Sequence, residues 1–187
     1  MNVRQNLHMD KPEFLAWVRA RAGRYELAGG NVVMMTGGSR GHVIIMRRLA
    51  TALEKRLDSR RWTVLTSDFG VDLGAATVRY PDVVVDVAGG PIEDLTATAP
   101  ILVAEVVSPS SATYDLGDKA SEYLRLQGLS AYLVLAQDEP KAWIWVRGAG
   151  GFSPGPNVVE GPDATIEIAA LGIDLPLSEI YAGLETS

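Results

Sequence analysis

Two nearly unbroken apolar runs, RYPDVVVDV with Asp82 and ILVAEVVSPS with Glu105, constrain this chain more than any other feature. Runs of this kind, without polar alternation, mark strands covered on both faces, so they call for a sheet buried between two layers. Each run also carries a carboxylate, and a carboxylate in apolar surroundings is costly unless it is paired, protonated or bound to a metal. The segment between them, AGGPIEDLTATAP, is rich in Gly and Pro and suits a chain reversal. If the two strands pair antiparallel, the start of the first lies beside the end of the second, and both carboxylates fall at one end of the sheet. Alternation sets Asp82 with Val84 and Asp86, and Glu105 with Ile101, Val103 and Val107; register decides whether they converge.

The chemistry open to such a pair is narrowed by composition. The chain has no cysteine and only two histidines, His8 and His42, which excludes thiolate zinc sites and a histidine-rich metal centre. Any metal must be held by oxygen, which suits Mg2+ or Mn2+. A net charge of -6 argues against a protein that coats nucleic acid nonspecifically. A local basic patch remains in GHVIIMRRLATALEKRLDSRR, where Arg47, Arg48 and Lys55 are the candidates for nucleic-acid contact. With 187 residues, 47% of them hydrophobic, one domain over 1–187 with a well-buried core is expected. Its parts would be an N-terminal helix in 1–23, a core over about 24–146 and a C-terminal extension over 147–187. No run approaches the roughly 20 apolar residues that span a bilayer, and the N-terminus lacks the apolar stretch of a secretory signal. A cytoplasmic protein without a membrane partner is the expectation.

Local signals predict a helix over 11–22, with Pro12 in its first turn, and a hairpin of strands 25–27 and 31–35 around Gly29-Gly30. A helix over 41–59 places Met46, Leu49, Leu53 and Leu57 on one stripe and Arg48 and Lys55 on the opposite face. Strands are predicted at 63–65, 70–73, 78–87, 101–107, 131–136 and 141–146. Another helix is predicted at 116–127, with Asp115 as N-cap and Gly128 as C-cap. This order predicts an α/β or α+β fold with a mixed central sheet flanked by helices. On the 116–127 helix, Lys119 falls on the apolar face with Leu116 and Tyr123, away from Asp118, Glu122 and Arg125. A lysine turned inward toward two carboxylates is placed to pair with them, to orient or deprotonate an attacking water, or to stabilise charge on a phosphoryl group.

The same residues carry a family resemblance. RYPDVVV, AEVVSPSS and YDLGDKASEYLRLQG, with YELAGGNVVMM, a Gly41-His42 that opens a helix, and LPLSEIY near the end, resemble the Uma-two-type restriction endonuclease family of the PD-(D/E)XK nuclease superfamily. The pattern there is Pro-Asp, then an acidic residue, one spacer and a lysine on the next strand. Pro81-Asp82 and Glu105 match, whereas Val107 stands at the lysine position. The resemblance implies that Lys119 on the following helix replaces it, that Glu26 is an acidic residue supplied by the N-terminal part, and that Tyr123 lies beside the site. His42 is an auxiliary candidate. The implied activity is hydrolysis of DNA phosphodiester bonds, with Asp82 and Glu105 holding Mg2+ or Mn2+, Glu26 assisting, and Lys119 acting at the nucleophile or phosphate. A homodimer would suit cutting of both strands. Two alternatives stay open: a catalytically silent nuclease-fold binding or assembly protein, and a hydrolase of smaller phosphodiesters. Ser108 and Ser110 lack a GxSxG elbow and are set aside.

Overall fold

The computed structural model describes residues 3–97 and 99–184. The first half runs β1 (Val3–His8), α1 (Lys11–Val18), β2 (Tyr25–Ala28), β3 (Asn31–Met34), α2 (Arg40–Arg56), β4 (Trp62–Thr66), β5 (Gly70–Asp72), β6 (Val78–Arg79), β7 (Val83–Val87), β8 (Thr96–Ala97) and β9 (Leu102–Val107). Helix α3 then begins as Ala112–Tyr114, widens into a π-helical turn at Asp115–Lys119 and closes as Ala120–Tyr123. The chain ends with β10 (Ala131–Ala136), β11 (Lys141–Val146), β12 (Asn157–Glu160), β13 (Thr165–Ile168), β14 (Ile173–Pro176) and α4 (Leu177–Tyr181).

The fold is α+β with mixed sheets and few helices. The expected central sheet has the order β12-β11-β10-β9-β7-β4, with β9 and β10 parallel and its other neighbours antiparallel. A second six-stranded sheet, β1-β3-β2-β6-β5-β8, stands beside it, and β13 pairs with β14 alone. Central strand β9 shows why both layers exist. Its Leu102, Ala104 and Val106 pack with Ile45, Leu49 and Leu53 of α2, with Ile166, Ile168, Ile173 and Leu175 of the β13–β14 pair, and with Leu177 and Ile180 of α4. Its Val103 and Val107 face the other way, into a layer holding Ala120, Tyr123, Tyr132 and Trp145.

Three expectations are corrected. The run 78–87 is two strands in different sheets, because Pro81 has no N–H for a ladder and fixes its own φ. The chain therefore leaves the second sheet after Arg79 and enters the central one at Val83. The N-terminal region is not helix alone: Val3–His8 pairs antiparallel with β3, and α1 stops at Val18. Helix α3 starts before Asp115 and stops before Gly128, so Asp115 is a buried residue inside it rather than its N-cap. The hairpin of β2 and β3 forms as expected, with Gly29 and Gly30 at φ +55° and +83°, the positive values that a two-residue turn of this hand requires.

The C-terminal helix is tied to the central sheet at the chain reversal after β10. Tyr181 Oη donates to the Ala136 carbonyl at 2.6 Å, with the Lys141 carbonyl 3.2 Å away. Arg48 of α2 donates to the Ile180 and Ala182 carbonyls at 3.1 and 2.6 Å. No helix among the described residues is long and apolar enough to cross a membrane. Removing the buried hydroxyl with Tyr181→Phe is expected to cost about 1 kcal/mol, read as a lower urea midpoint at unchanged slope.

Candidate active site

Strands β7 and β9 pair Val83 with Ala104, Val84 with Val103 and Val85 with Leu102. Asp82 stands just before β7, one residue outside the paired register, and Glu105 follows Ala104 in β9. Beyond the start of β7 the Asp82 side chain takes over a ladder donor, its Oδ2 accepting the Val106 N–H at 2.8 Å. Its Oδ1 lies 3.0 Å from His42 Nε2. His42 is delivered by the first turn of α2, where the Ser39 N-cap hydroxyl accepts the His42 N–H at 3.1 Å. The hydrogen bond to Asp82 raises the His42 pKa above its ordinary value, against the opposing effect of burial.

Glu105 is 4% exposed and projects between Val103 and Val107 into the aromatic layer. One helix serves it. Lys119 Nζ lies 3.0 Å from Glu105 Oε1, and Tyr123 Oη donates to the same oxygen at 3.1 Å. The two donors sit four residues apart, on one face of α3. Lys119 also pairs with Asp115 Oδ1 at 2.9 Å. The π-helical turn holds both ends of that pair, and Tyr132 Oη donates to the Asp115 carbonyl at 3.0 Å, fastening the turn to β10. Such widened turns in helices are frequent at functional sites.

The electrostatics follow from burial and from the ratio of charges. Burial pushes the Glu105 carboxyl up to about 8; Lys119 pulls it down, while Asp82 and Asp115 add to the rise. Burial works against the Lys119 ammonium, yet Glu105, Asp115 and Glu26 together hold its pKa above the ordinary lysine value. Both directions fit one charged ammonium shared by two carboxylates.

A second set lies alongside. Glu26 of β2 is 1% exposed and its Oε1 accepts from Arg79 Nη1 at 2.8 Å, while its buried Oε2 has no hydrogen-bond partner. Arg79, 2% exposed, also grips Glu122 of α3 through Nε and Nη2 at 2.7 and 2.9 Å. Glu26 is thus near Lys119 but engaged by an arginine. From sequence alone Arg79 and Asp115 carry no site assignment. The signals were present: an arginine beside an apolar strand, and an acidic residue four positions before the inward lysine. Arg47, Arg48 and Lys55 are not gathered here. Arg47 is exposed, Arg48 binds carbonyls at α4, and Lys55 Nζ lies 3.9 Å from Glu179.

A family model described as "Uma2: Putative restriction endonuclease" matches residues 12–178. The chain belongs to the Uma2 family. Among its relatives, the uncharacterized protein slr1290 of Synechocystis sp. is 28% identical over 175 residues, covering 92% of this chain and 90% of its own. A second uncharacterized Synechocystis protein, sll1609, is 26% identical over 129 residues, covering 67% of this chain and 73% of its own. A crystal structure of "a putative nuclease belonging to DUF820" from Anabaena variabilis superposes with a TM-score of 0.76 at 15% identity, over 93% of this chain and 98% of that one. At that identity the likeness is one of fold. The Uma2 match takes in Glu26, Arg79, Asp82, Glu105 and Lys119, and extends into α4.

Two outcomes are expected of the Uma2 cluster. Arg79→Met strands Glu26 as an unpaired buried charge and is expected to cost about 3–5 kcal/mol, with Glu26→Gln in the same chain recovering most of it in urea unfolding. For Glu105, folding raises the pKa from the ordinary 4.5 to about 8, so within that window the folded protein binds more protons than the unfolded one. Stability is then lost as pH rises through the window. In EDTA, wild type is expected to lose stability relative to Glu105→Gln between those two pH values, and parallel curves would contradict the assignment.

Proposed function

We propose that this chain is a divalent-metal-dependent endonuclease that hydrolyses phosphodiester bonds in DNA. One observation carries the reading: the Asp82 carboxylate accepts from the Val106 N–H, next to Glu105 in β9, and the Lys119 ammonium lies 3.0 Å from Glu105. The family description supports hydrolysis of nucleic acid as the chemistry.

The donor set fits Mg2+ or Mn2+. Among the described residues, no group of three or more His, Cys, Asp and Glu is arranged to hold a metal ion, so a fully protein-caged cation is not supported. Mg2+ is commonly bound through one or two carboxylates, with water and substrate phosphate completing its shell. Lys119 and Tyr123 both use Oε1 of Glu105, so neither occupies Oε2. Charge points the same way: among the described residues, Glu26, Asp82, Glu105, Asp115 and Glu122 are joined by ion pairs or close fields to Arg79, Lys119 and His42.

Asp82 and Glu105 would hold the cation, whose chemistry there is to polarise a phosphoryl oxygen and acidify a water. Asp82 is oriented for this by the Val106 N–H and by His42. Lys119 keeps its proton, since its pKa is raised. Its role is to orient the attacking water by donating to it and to offset charge that builds on the phosphate. Tyr123 likewise remains a neutral donor, because burial lifts its pKa well above that of free tyrosine. Glu26, tied to Arg79, acts on Lys119 through its field. Cutting both strands takes two such sites, so the proposed working form is a homodimer.

A second reading is a binding protein that keeps the fold without cleaving, and one observation favours it: Lys119 is already engaged by two carboxylates. Nicking of supercoiled DNA separates the two. Wild type is expected to nick with Mg2+ or Mn2+ and not with EDTA, and Lys119→Ala is expected to lower the rate about 100-fold or more. Mg2+ binding by calorimetry without nicking of any DNA would establish the second reading instead.

A further inference from the structure

Beside Asp82 lies a concavity that the chemistry above does not use. It is a cleft of ≈ 190 Å³ lined by Arg24, Tyr25, Met35, Ser67, Tyr80 and Leu95, among others. It borders the proposed reaction centre through two covalent or hydrogen-bonded links. Tyr80 directly precedes Pro81-Asp82 in the chain, and the Ser67 N–H donates to the Asp82 carbonyl at 3.1 Å.

The cleft has features of a binding site. Ser67 has φ +41°, the one non-glycine residue among those described with a positive φ, and such strain tends to gather at functional positions. The Arg24 guanidinium is anchored to Ser67, its Nη2 donating to the carbonyl at 3.0 Å. Its Nε pairs with Asp68 Oδ1 at 3.3 Å, on a largely exposed side chain that also lines the cleft. The Tyr25 ring is braced edge-on by Trp17 at 4.9 Å, and Met35 and Leu95 add apolar wall.

Size and chemistry select the ligand. A cavity of roughly 150 Å³ holds a benzene, so this cleft suits one planar ring system and not a base pair. Two tyrosines, a methionine and an arginine donor make a setting for a flat heteroaromatic ring with acceptor atoms on its edge, as in a nucleobase. A base reaches such a place only by leaving the stack. We propose that this cleft receives one unpaired nucleobase from the strand whose phosphate lies at Asp82 and Glu105, with Tyr25 and Tyr80 against its ring and Arg24 at its edge. This deepens the nuclease reading and rests on it. The substrate class becomes DNA with a bulged, gapped or readily extruded nucleotide.

The test compares two labelled duplexes by fluorescence anisotropy in Ca2+, one fully paired and one with a single unpaired 2-aminopurine, alongside nicking in Mg2+. Wild type is expected to bind the unpaired-base duplex about tenfold or more tightly, the worth of one stacked base, and to quench the 2-aminopurine on binding. Met35→Trp, which fills the cleft, and Tyr80→Leu, which removes a ring, are each expected to bring that preference within about twofold while circular dichroism shows a folded chain. Equal affinities in wild type, with metal-dependent nicking intact, overturn the cleft proposal and leave the nuclease reading in place. A preference that persists in both variants overturns the location. Failure to bind either duplex, with no nicking, overturns both readings together.

Discussion

The carboxylate of Glu105 is the group around which this molecule is arranged. Strand β9 lies between two apolar layers, and strict alternation sends Glu105 into the one holding Tyr123, Tyr132 and Trp145. An ionised side chain cannot stand there alone. Lys119 and Tyr123 answer it from a single helix face, which fixes how α3 must lie across the sheet. The same device recurs next door, where Arg79 answers Glu26 from one side and Glu122 from the other. Two cations thus bridge four carboxylates, and Asp82 is left to His42. Buried ion pairs of this type seldom stabilise a fold better than well-packed apolar residues of similar volume. Packing alone therefore gives no reason for gathering these pairs around α3.

Much of this was legible in the sequence because the governing signals are local. Two continuous apolar runs, a Gly/Pro-rich return between them and a Gly-Gly turn are enough to place β7, β9 and the β2–β3 hairpin. Helical periodicity turns Lys119 inward without any knowledge of what it meets. What escaped reading depends on partners distant in the chain. The run 78–87 looks continuous because both sheets favour the same residues, and only Pro81 marks the crossing. Val3–His8, VRQNLH, has no apolar alternation and becomes a strand by pairing with β3. Asp115 reads as a helix start by composition; its burial and its pair with Lys119 arise from the widened turn. Arg48 and Lys55 form a basic face on paper, yet α4, over a hundred residues later, is where Arg48 is spent.

Lys119 enters the Glu105 layer from the helix, a different route from that of a lysine borne on the strand. In the strand pattern that the chain resembles, the lysine would stand at 107, two residues past Glu105 and on the same face. Val107 is buried there in the apolar cluster, so the strand contributes packing at that position and no charge. Lys119 reaches the Glu105 carboxylate from above, off the helix that covers this face. A strand-borne lysine would be positioned by the register of β9 itself. A helix-borne one is positioned by how the helix docks, and that docking is held by Tyr132 on the Asp115 carbonyl and by Arg79 on Glu122. Arg79 belongs to the second sheet and follows a different strand order, yet its grip on α3 bears on where the Lys119 ammonium sits. The second sheet is therefore part of the site's machinery: through Glu26 and Arg79 it sets the helix, and through the helix it sets the charge beside Glu105.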